Sequence, residues 1–163
     1  MLKIAKFPEK ILRQKAKDIS EFDANLEKLA EEMAKVMYAD DGIGLAAPQV
    51  SVSVRLMVVG NNDRLSYQVY VNPEITFSSE EMTVTDEGCL SLPGIFGLVS
   101  RPKKIHIKYQ DLKGRKHGEK IKGMLAVILQ HEIDHLNGVL FIDRAEKITQ
   151  GQDVLDKLKN AKR

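Results

Sequence analysis

The sequence predicts an α+β protein: antiparallel sheets packed around a buried, metal-binding H-E-x-x-H helix, with a further helix at the C-terminus. Three observations lead there. Short runs with strand character, separated by turn residues, fill residues 55–121. They precede the main C-terminal helical patterns rather than alternating with them, which favours antiparallel pairing over βαβ units. Finally, Met124 to Gln130 is apolar and free of Gly and Pro, and it runs into His131-Glu132-Ile133-Asp134-His135. That pattern reads as a buried helix ending at Gly138, a residue suited to the position just past a helix.

The elements follow in order. Glu9 to Ala16 reads as a short helical turn behind Pro8. Asp23 or Asn25 caps a helix to about Ala39, where Leu26, Leu29, Ala30, Met33, Val36 and Met37 recur at i, i+3, i+4 spacing and are most simply core. Arg55 to Val59 is a short apolar strand. Tyr67 to Val71 alternates and then meets Asn72-Pro73. Ile75 to Thr85 reads as strand, with a turn at Ser78 to Glu81. Lys104 to Gln110 sets Ile105, Ile107 and Tyr109 against Lys104, His106 and Lys108, a half-buried strand that Asp111 to Gly114 turns back into Lys116 to Ile121. His106 and His117 are expected at the surface. A last helix spans about Thr149 to Ala161. No repeat, low-complexity tract or linker divides residues 1–163, so one domain with a sizeable core is expected.

Composition bounds the function. The chain is 43% hydrophobic and 29% charged, an ordinary globular balance. Lys+Arg 25 against Asp+Glu 23 is too even to suggest a nucleic-acid binder by net charge, and no DNA partner is expected. A single Cys excludes an intramolecular disulfide and fits a reducing compartment, and the cytoplasm is the expected location. No apolar run approaches the roughly 20 residues of a membrane span, so no membrane partner is expected. Met1 to Pro8 is too short and too quickly charged for a signal peptide.

The chemistry lies in three segments. On a helix His131 and His135 share one face and can hold one metal ion, while Glu132 between them can reach a water at an open coordination position as general acid or base. A catalytic site of this type needs a third protein ligand. The longer H-E-x-x-H-x-x-G-x-x-H pattern of metzincin peptidases has Gly138 in place but Phe141 where its last His would stand. Asp143 and Glu146 are downstream carboxylates without any feature that marks them as ligands. Cys89 is the better candidate. It lies in Glu87-Gly88-Cys89-Leu90-Ser91-Leu92-Pro93-Gly94, between Gly88 and a turn-forming Pro93-Gly94. A thiolate with two imidazoles suits Fe(II), Zn(II), Ni(II) or Co(II). The third segment, Gly42-Ile43-Gly44-Leu45-Ala46-Ala47-Pro48-Gln49, has neither the Gly spacing nor the Lys of a nucleotide loop. Its glycines suit close backbone approach to a ligand, and Gln49 offers an amide donor that could polarise a carbonyl.

Together these segments resemble the peptide deformylase family, whose marks are G-x-G-L-A-A-x-Q, E-G-C-L-S and Q-H-E-x-D-H. Here they stand at Gly42–Gln49, Glu87–Ser91 and Gln130–His135, in that order. The resemblance reaches from Phe7-Pro8-Glu9-Lys10-Ile11-Leu12 to the C-terminal helix, and implies the same fold class. It implies a hydrolase that removes the N-formyl group from the initiator methionine of nascent polypeptides and releases formate. One divalent metal ion is expected on Cys89, His131 and His135, with Fe(II) favoured by the resemblance. Glu132 is expected to move the proton, and Gln49 and the backbone N–H of Leu90 to stabilise the oxyanion. Ile43, Gly44, Val127 and Ile128 are expected to bind substrate. Glu87 and Arg101 are expected to pair and fix the Cys89 loop. Asp134 either orients an imidazole or faces solvent. Two rivals share the motif: a metallopeptidase cutting internal bonds, and a non-catalytic nascent-chain binder. The chain is expected to be monomeric. Its last residues carry Lys157, Lys159, Lys162 and Arg163 behind a stripe of Val154, Leu155 and Leu158, which suggests weak ribosome association through the final helix.

Overall fold

The computed structural model describes residues 2–161. Asp23 caps the first long helix, α1 (Ala24–Ala39), by accepting the Leu26 N–H at 3.1 Å. Its apolar stripe buries Leu26, Ala30, Met33, Ala34 and Met37, as the spacing requires. The chain then forms β1 (Gly44–Ala46), a tight 3₁₀ turn (Ala47–Val50), β2 (Leu56–Gly60) and β3 (Tyr67–Ser78). Next come the hairpin of β4 (Met82–Cys89) with β5 (Leu92–Pro102) and the hairpin of β6 (Lys104–Gln110) with β7 (Lys116–Lys122). The motif helix α2 (Met124–Leu136), a single helical turn α3 (Phe141–Arg144), β8 (Lys147–Gln150) and α4 (Gln152–Ala161) complete the described chain.

Two antiparallel sheets result, β1-β2-β3-β6-β7 and β4-β5-β8. At β2 the five-stranded sheet is covered on both faces, which explains why that strand reads as an unbroken apolar run. Leu56 and Val58 pack towards α1, and Met57 and Val59 towards α2. A third cluster joins Leu92, Ile95 and Val99 of β5 to Leu12, Phe141 and Leu155. The motif helix is thereby held between the two sheets. It ends as its sequence requires, with Gly138 at φ 75°, where an added Cβ would lie 2.5 Å from the Arg13 carbonyl oxygen.

Several local features differ from the sequence expectations, and the turn expected over Glu9 to Ala16 is a 3₁₀ turn of Lys10–Arg13. β3 continues through Asn72-Pro73 by way of a register shift between Val71 and Glu74. There Asn72, at φ 50°, bonds Ile19 N and O through its side chain, both at 2.8 Å, while its own N–H donates to the Arg55 carbonyl at 2.8 Å. Pro93-Gly94 lies inside β5, because the β4–β5 turn is made by Leu90 and Ser91. Lys147–Gln150 pairs with β5 as a strand, so the last helix starts at Gln152 rather than Thr149. In that helix Leu155 and Leu158 face the domain, whereas Val154 is exposed.

Candidate metal centre

The three candidate ligands arrive on two kinds of element, a helix and a strand end. His131 and His135 project from one face of α2, with ring centroids 5.0 Å apart. Cys89 is the last residue of β4, where a register shift after Gly88 turns the chain into the hairpin. One donor atom from each of Cys89, His131 and His135 lies within 4.8 Å of the others, and Cys89 Sγ is 3.3 Å from His135 Nε2. Asp143 and Glu146 are not part of this cluster: Asp143 pairs with Arg13, and Glu146 is exposed.

Charge around the cluster favours a cation. Glu87 Oε1 lies 2.8 Å from His131 Nδ1, which assigns the proton to that nitrogen and leaves Nε2 as the donor. Burial disfavours an imidazolium at His131, yet hydrogen bonds to Cys89 and Glu87 overcome it and raise the ring well above its ordinary range, so a metal ion would have to displace the Nε2 proton to bind there. His135, dominated by burial and by neighbouring positive charge, is pushed well below and stays a neutral ligand. A soft thiolate, two imidazoles and local negative charge fit a divalent transition metal.

Glu132 stands beside the donors on α2, 3% exposed, with Oε1 buried and unpartnered. Burial raises its carboxyl to about 7. Gly44 is what makes room for it: a Cβ there would sit 2.8 Å from Glu132 Oε2. Gln49, 1% exposed on the 3₁₀ turn, is oriented by the Ala46 N–H, which donates to its Oε1 at 3.0 Å. Its Nε2 therefore faces the centre, 3.4 Å from Cys89 Sγ and 3.2 Å from Ser91 Oγ.

Arg101 ties the site to the fold. It is 3% exposed and donates to Glu87 at 2.6 and 2.9 Å and to Asp134 at 3.0 Å. The expected Glu87–Arg101 pair is thus present and buried. Asp134 does neither thing expected of it: it orients no imidazole and does not face solvent, but binds Arg101 and Arg144. The carboxylate that orients an imidazole is Glu87, two residues before Cys89, and nothing in its sequence spacing reveals which histidine it meets. Phe141, where the longer peptidase pattern has its last His, stacks near His131 at 6.1 Å. Ser91 was marked only as the last residue of the Glu87–Ser91 segment, and Arg144 carried no sequence signal at all.

A cavity of about 780 Å³ opens onto the centre. Ile43, Gly44, Leu90, Val127 and Ile128 all line it, together with Met124. Thr85, Asp86, Glu87, Gly88 and Cys89 also line it in unbroken succession. Side chains alternate across a strand, so such a run means that β4 presents its edge to the cavity. β1 is likewise the edge of its own sheet.

The family model described as polypeptide deformylase matches residues 1–151. The chain belongs to the peptide deformylase family. A peptide deformylase of Thermotoga maritima is 43% identical over 168 residues that span the whole of both chains. The crystal structure of peptide deformylase from that organism superposes with a TM-score of 0.86, covering 90% of this chain and 98% of that one. A Met-Ala-Ser-bound crystal structure of class I type b peptide deformylase from Acinetobacter baumannii is 39% identical, with a TM-score of 0.83 over 88% of this chain and 97% of that one. As a deformylase the chain is a metal-dependent hydrolase that removes the N-formyl group from nascent polypeptides. Among the described residues no helix is long and apolar enough to cross a membrane.

Proposed function

We propose that residues 1–163 form one catalytic domain in which Cys89, His131 and His135 hold Fe(II), and Glu132, Gln49 and Leu90 carry out deformylation. The observation that carries this reading is the donor cluster beside a buried, unpartnered Glu132 oxygen. Zn(II), Ni(II) or Co(II) can substitute on the same donors. When bound, the ion supplies Lewis acidity at the formyl carbonyl and lowers the pKa of water.

The protein's own groups do the rest. The formylated end of the peptide enters the cavity, and its backbone pairs with Gly44 as an added strand. The methionine side chain packs on Ile43, Val127 and Ile128. The peptide-bound Acinetobacter relative supports a short Met-initiated peptide as the occupant. Glu132 takes a proton from the attacking water and delivers it to the departing amine nitrogen. Gln49 Nε2 and the Leu90 N–H donate to the oxyanion as the carbonyl becomes tetrahedral, and one such donor contributes about 2.7–4 kcal/mol in comparable sites. His131 keeps its orientation through Glu87, and Glu87 through Arg101.

The enzyme acts as a cytoplasmic monomer on nascent chains. Its final helix, with Lys157 and Lys159, gives weak attraction to the ribosome; Lys162 and Arg163 of the same basic run lie outside the described residues. Anaerobic purification, metal analysis and a formate-release assay test the whole reading. Formyl-Met peptide should release formate with about one iron per chain, while acetyl-Met and free-amine peptides stay intact. Cleavage of internal peptide bonds would favour the peptidase rival, and full metal occupancy without formate would favour the non-catalytic one.

A further inference from the structure

The charge of this chain is unevenly spread. Residues 103–122 hold eight Lys or Arg against Asp111 and Glu119, while the whole chain holds 25 against 23, so the remainder is net acidic. The β6–β7 hairpin then sorts these charges by face. Ile105, Ile107 and Ile121 point into the core against α2. The other face carries Lys104 opposite Lys122, His106 opposite Lys120, and Gln110 opposite Lys116, with Lys108 between them.

Folding does not explain this arrangement. Like charges directly opposite each other destabilise a sheet, and Lys104 and Lys122 are such a pair. The acids that engage lysines elsewhere take Lys35, Lys103 and Lys113; among the described residues none pairs with Lys104, Lys108, Lys116, Lys120 or Lys122. Glu74, opposite Lys108 on β3, is the one acid in register with this face. Beside the lysines Phe77 is 50% exposed, with its ring 4.6 Å from His106.

We propose that the outer face of the β6–β7 hairpin, with Phe77, is an RNA-docking surface. Unpaired lysines neutralise phosphates, and an exposed aromatic ring beside them offers a base a surface to stack on, which a lipid headgroup would not use. The placement suits the activity. β7 ends two residues before Met124, which lines the active-site cavity. An enzyme of nascent chains held to RNA through this face keeps the cavity mouth beside the particle that presents its substrate. The surface is separate from the C-terminal helix, so the two contributions can be measured apart.

The test compares the wild-type holoenzyme, the K104Q/K120Q/K122Q variant, F77S and a chain lacking residues 157–163. Each is titrated by fluorescence anisotropy with a labelled single-stranded RNA of about 20 nucleotides across a salt series, and with anionic phospholipid vesicles. For single strands each phosphate contact contributes roughly 0.7 to the log–log salt slope, so the triple variant should lose about two and bind about tenfold or more weakly at moderate salt. F77S should weaken RNA binding with its salt slope unchanged. Thermal stability of the triple variant should be equal or higher, because a repulsion is removed, and kcat/KM on a formyl-Met tripeptide should not change. RNA binding that is absent from the wild type, equal in the triple variant, or lost only with residues 157–163 would overturn the proposal. So would vesicle binding that depends on the three lysines while RNA binding does not.

Discussion

Arg101→Met should be the most informative single substitution away from the metal ligands. The guanidinium is 3% exposed and sits between carboxylates that are 7% and 8% exposed, on Glu87 and Asp134. Removing it leaves Glu87 with only His131 Nδ1 and Asp134 with only Arg144 among their side-chain partners. Breaking a buried pair by deleting one partner costs about 3–5 kcal/mol, because the remaining charge is stranded. At roughly 2–4 °C per kcal/mol for a domain of this size, Tm should fall by about 6–20 °C. Glu87 is also what holds the His131 ring, so metal affinity should fall about 10–100-fold. Circular dichroism melts and chelator competition read the two effects. The double variant Arg101→Met/Glu87→Gln has one stranded carboxylate fewer and should show a coupling of about 0.5–3 kcal/mol relative to the single changes. A Tm loss under about 3 °C with no coupling and unchanged metal affinity would refute the reasoning, and would reduce the cluster to ordinary polar packing.

Further outcomes follow from the same geometry. Glu132→Ala should keep its fold and its metal while losing about 10²–10⁴-fold in formate release, and near-normal turnover in a metal-loaded sample would remove Glu132 from the mechanism. Cys89→Ser should lose metal affinity far more than stability, since the hydroxyl stays protonated; wild-type metal content by elemental analysis would place the third ligand elsewhere. Gly44→Ala should lower kcat with little change in Tm, because its Cβ meets Glu132 Oε2 at 2.8 Å and must displace it; an unchanged kcat would show that the carboxylate tolerates movement. Asp143 is pulled below its ordinary value of 3.8, since the hydrogen bonds from Arg13 and the Leu140 N–H outweigh burial. Its contribution is therefore present above that value and is lost as pH falls through the lower folded value. Asp143→Asn should flatten the acid limb of the Tm–pH curve, by no more than about 1 kcal/mol because the pair is partly exposed; an identical acid limb would show the pair to be inert.

Much of this was legible because the relevant signals are local. Helix periodicity located α1 and α2, Asp23 and Gly138 marked their ends, alternation located β6, and the Asp111–Gly114 turn placed β7 after it. The two candidate histidine donors were readable because i and i+4 on a helix guarantee a shared face. What stayed hidden depends on contacts distant in sequence. Pro93-Gly94 carries a turn signal, yet β5 absorbs it because pairing with β4 and β8 decides its conformation. Asn72-Pro73 looked like a strand end, but β3 absorbs it through a register shift, with the Asn72 side chain held by Ile19 and its N–H by the Arg55 carbonyl. The carboxylate roles could not be divided from sequence, since Glu87 and Asp134 differ only in which cation and which ring the fold brings to them. The even net charge likewise concealed a hairpin face that becomes visible once its cross-strand register is known.

The cavity lies between two unfinished sheets. β1 ends one and β4 the other, and both turn open backbone edges towards the same space. Exposed edges are normally a route to aggregation, but here the gap is about to be occupied. On the proposed binding mode, a peptide laid between them would act as a temporary extra strand joining two otherwise separate hydrogen-bonded networks. Occupancy should therefore slow amide exchange in both sheets at once, far beyond the residues that touch the ligand. A compound with peptide-like donors and acceptors along both sides would fasten the molecule across this seam. One that merely filled the apolar pocket would leave the seam free to breathe.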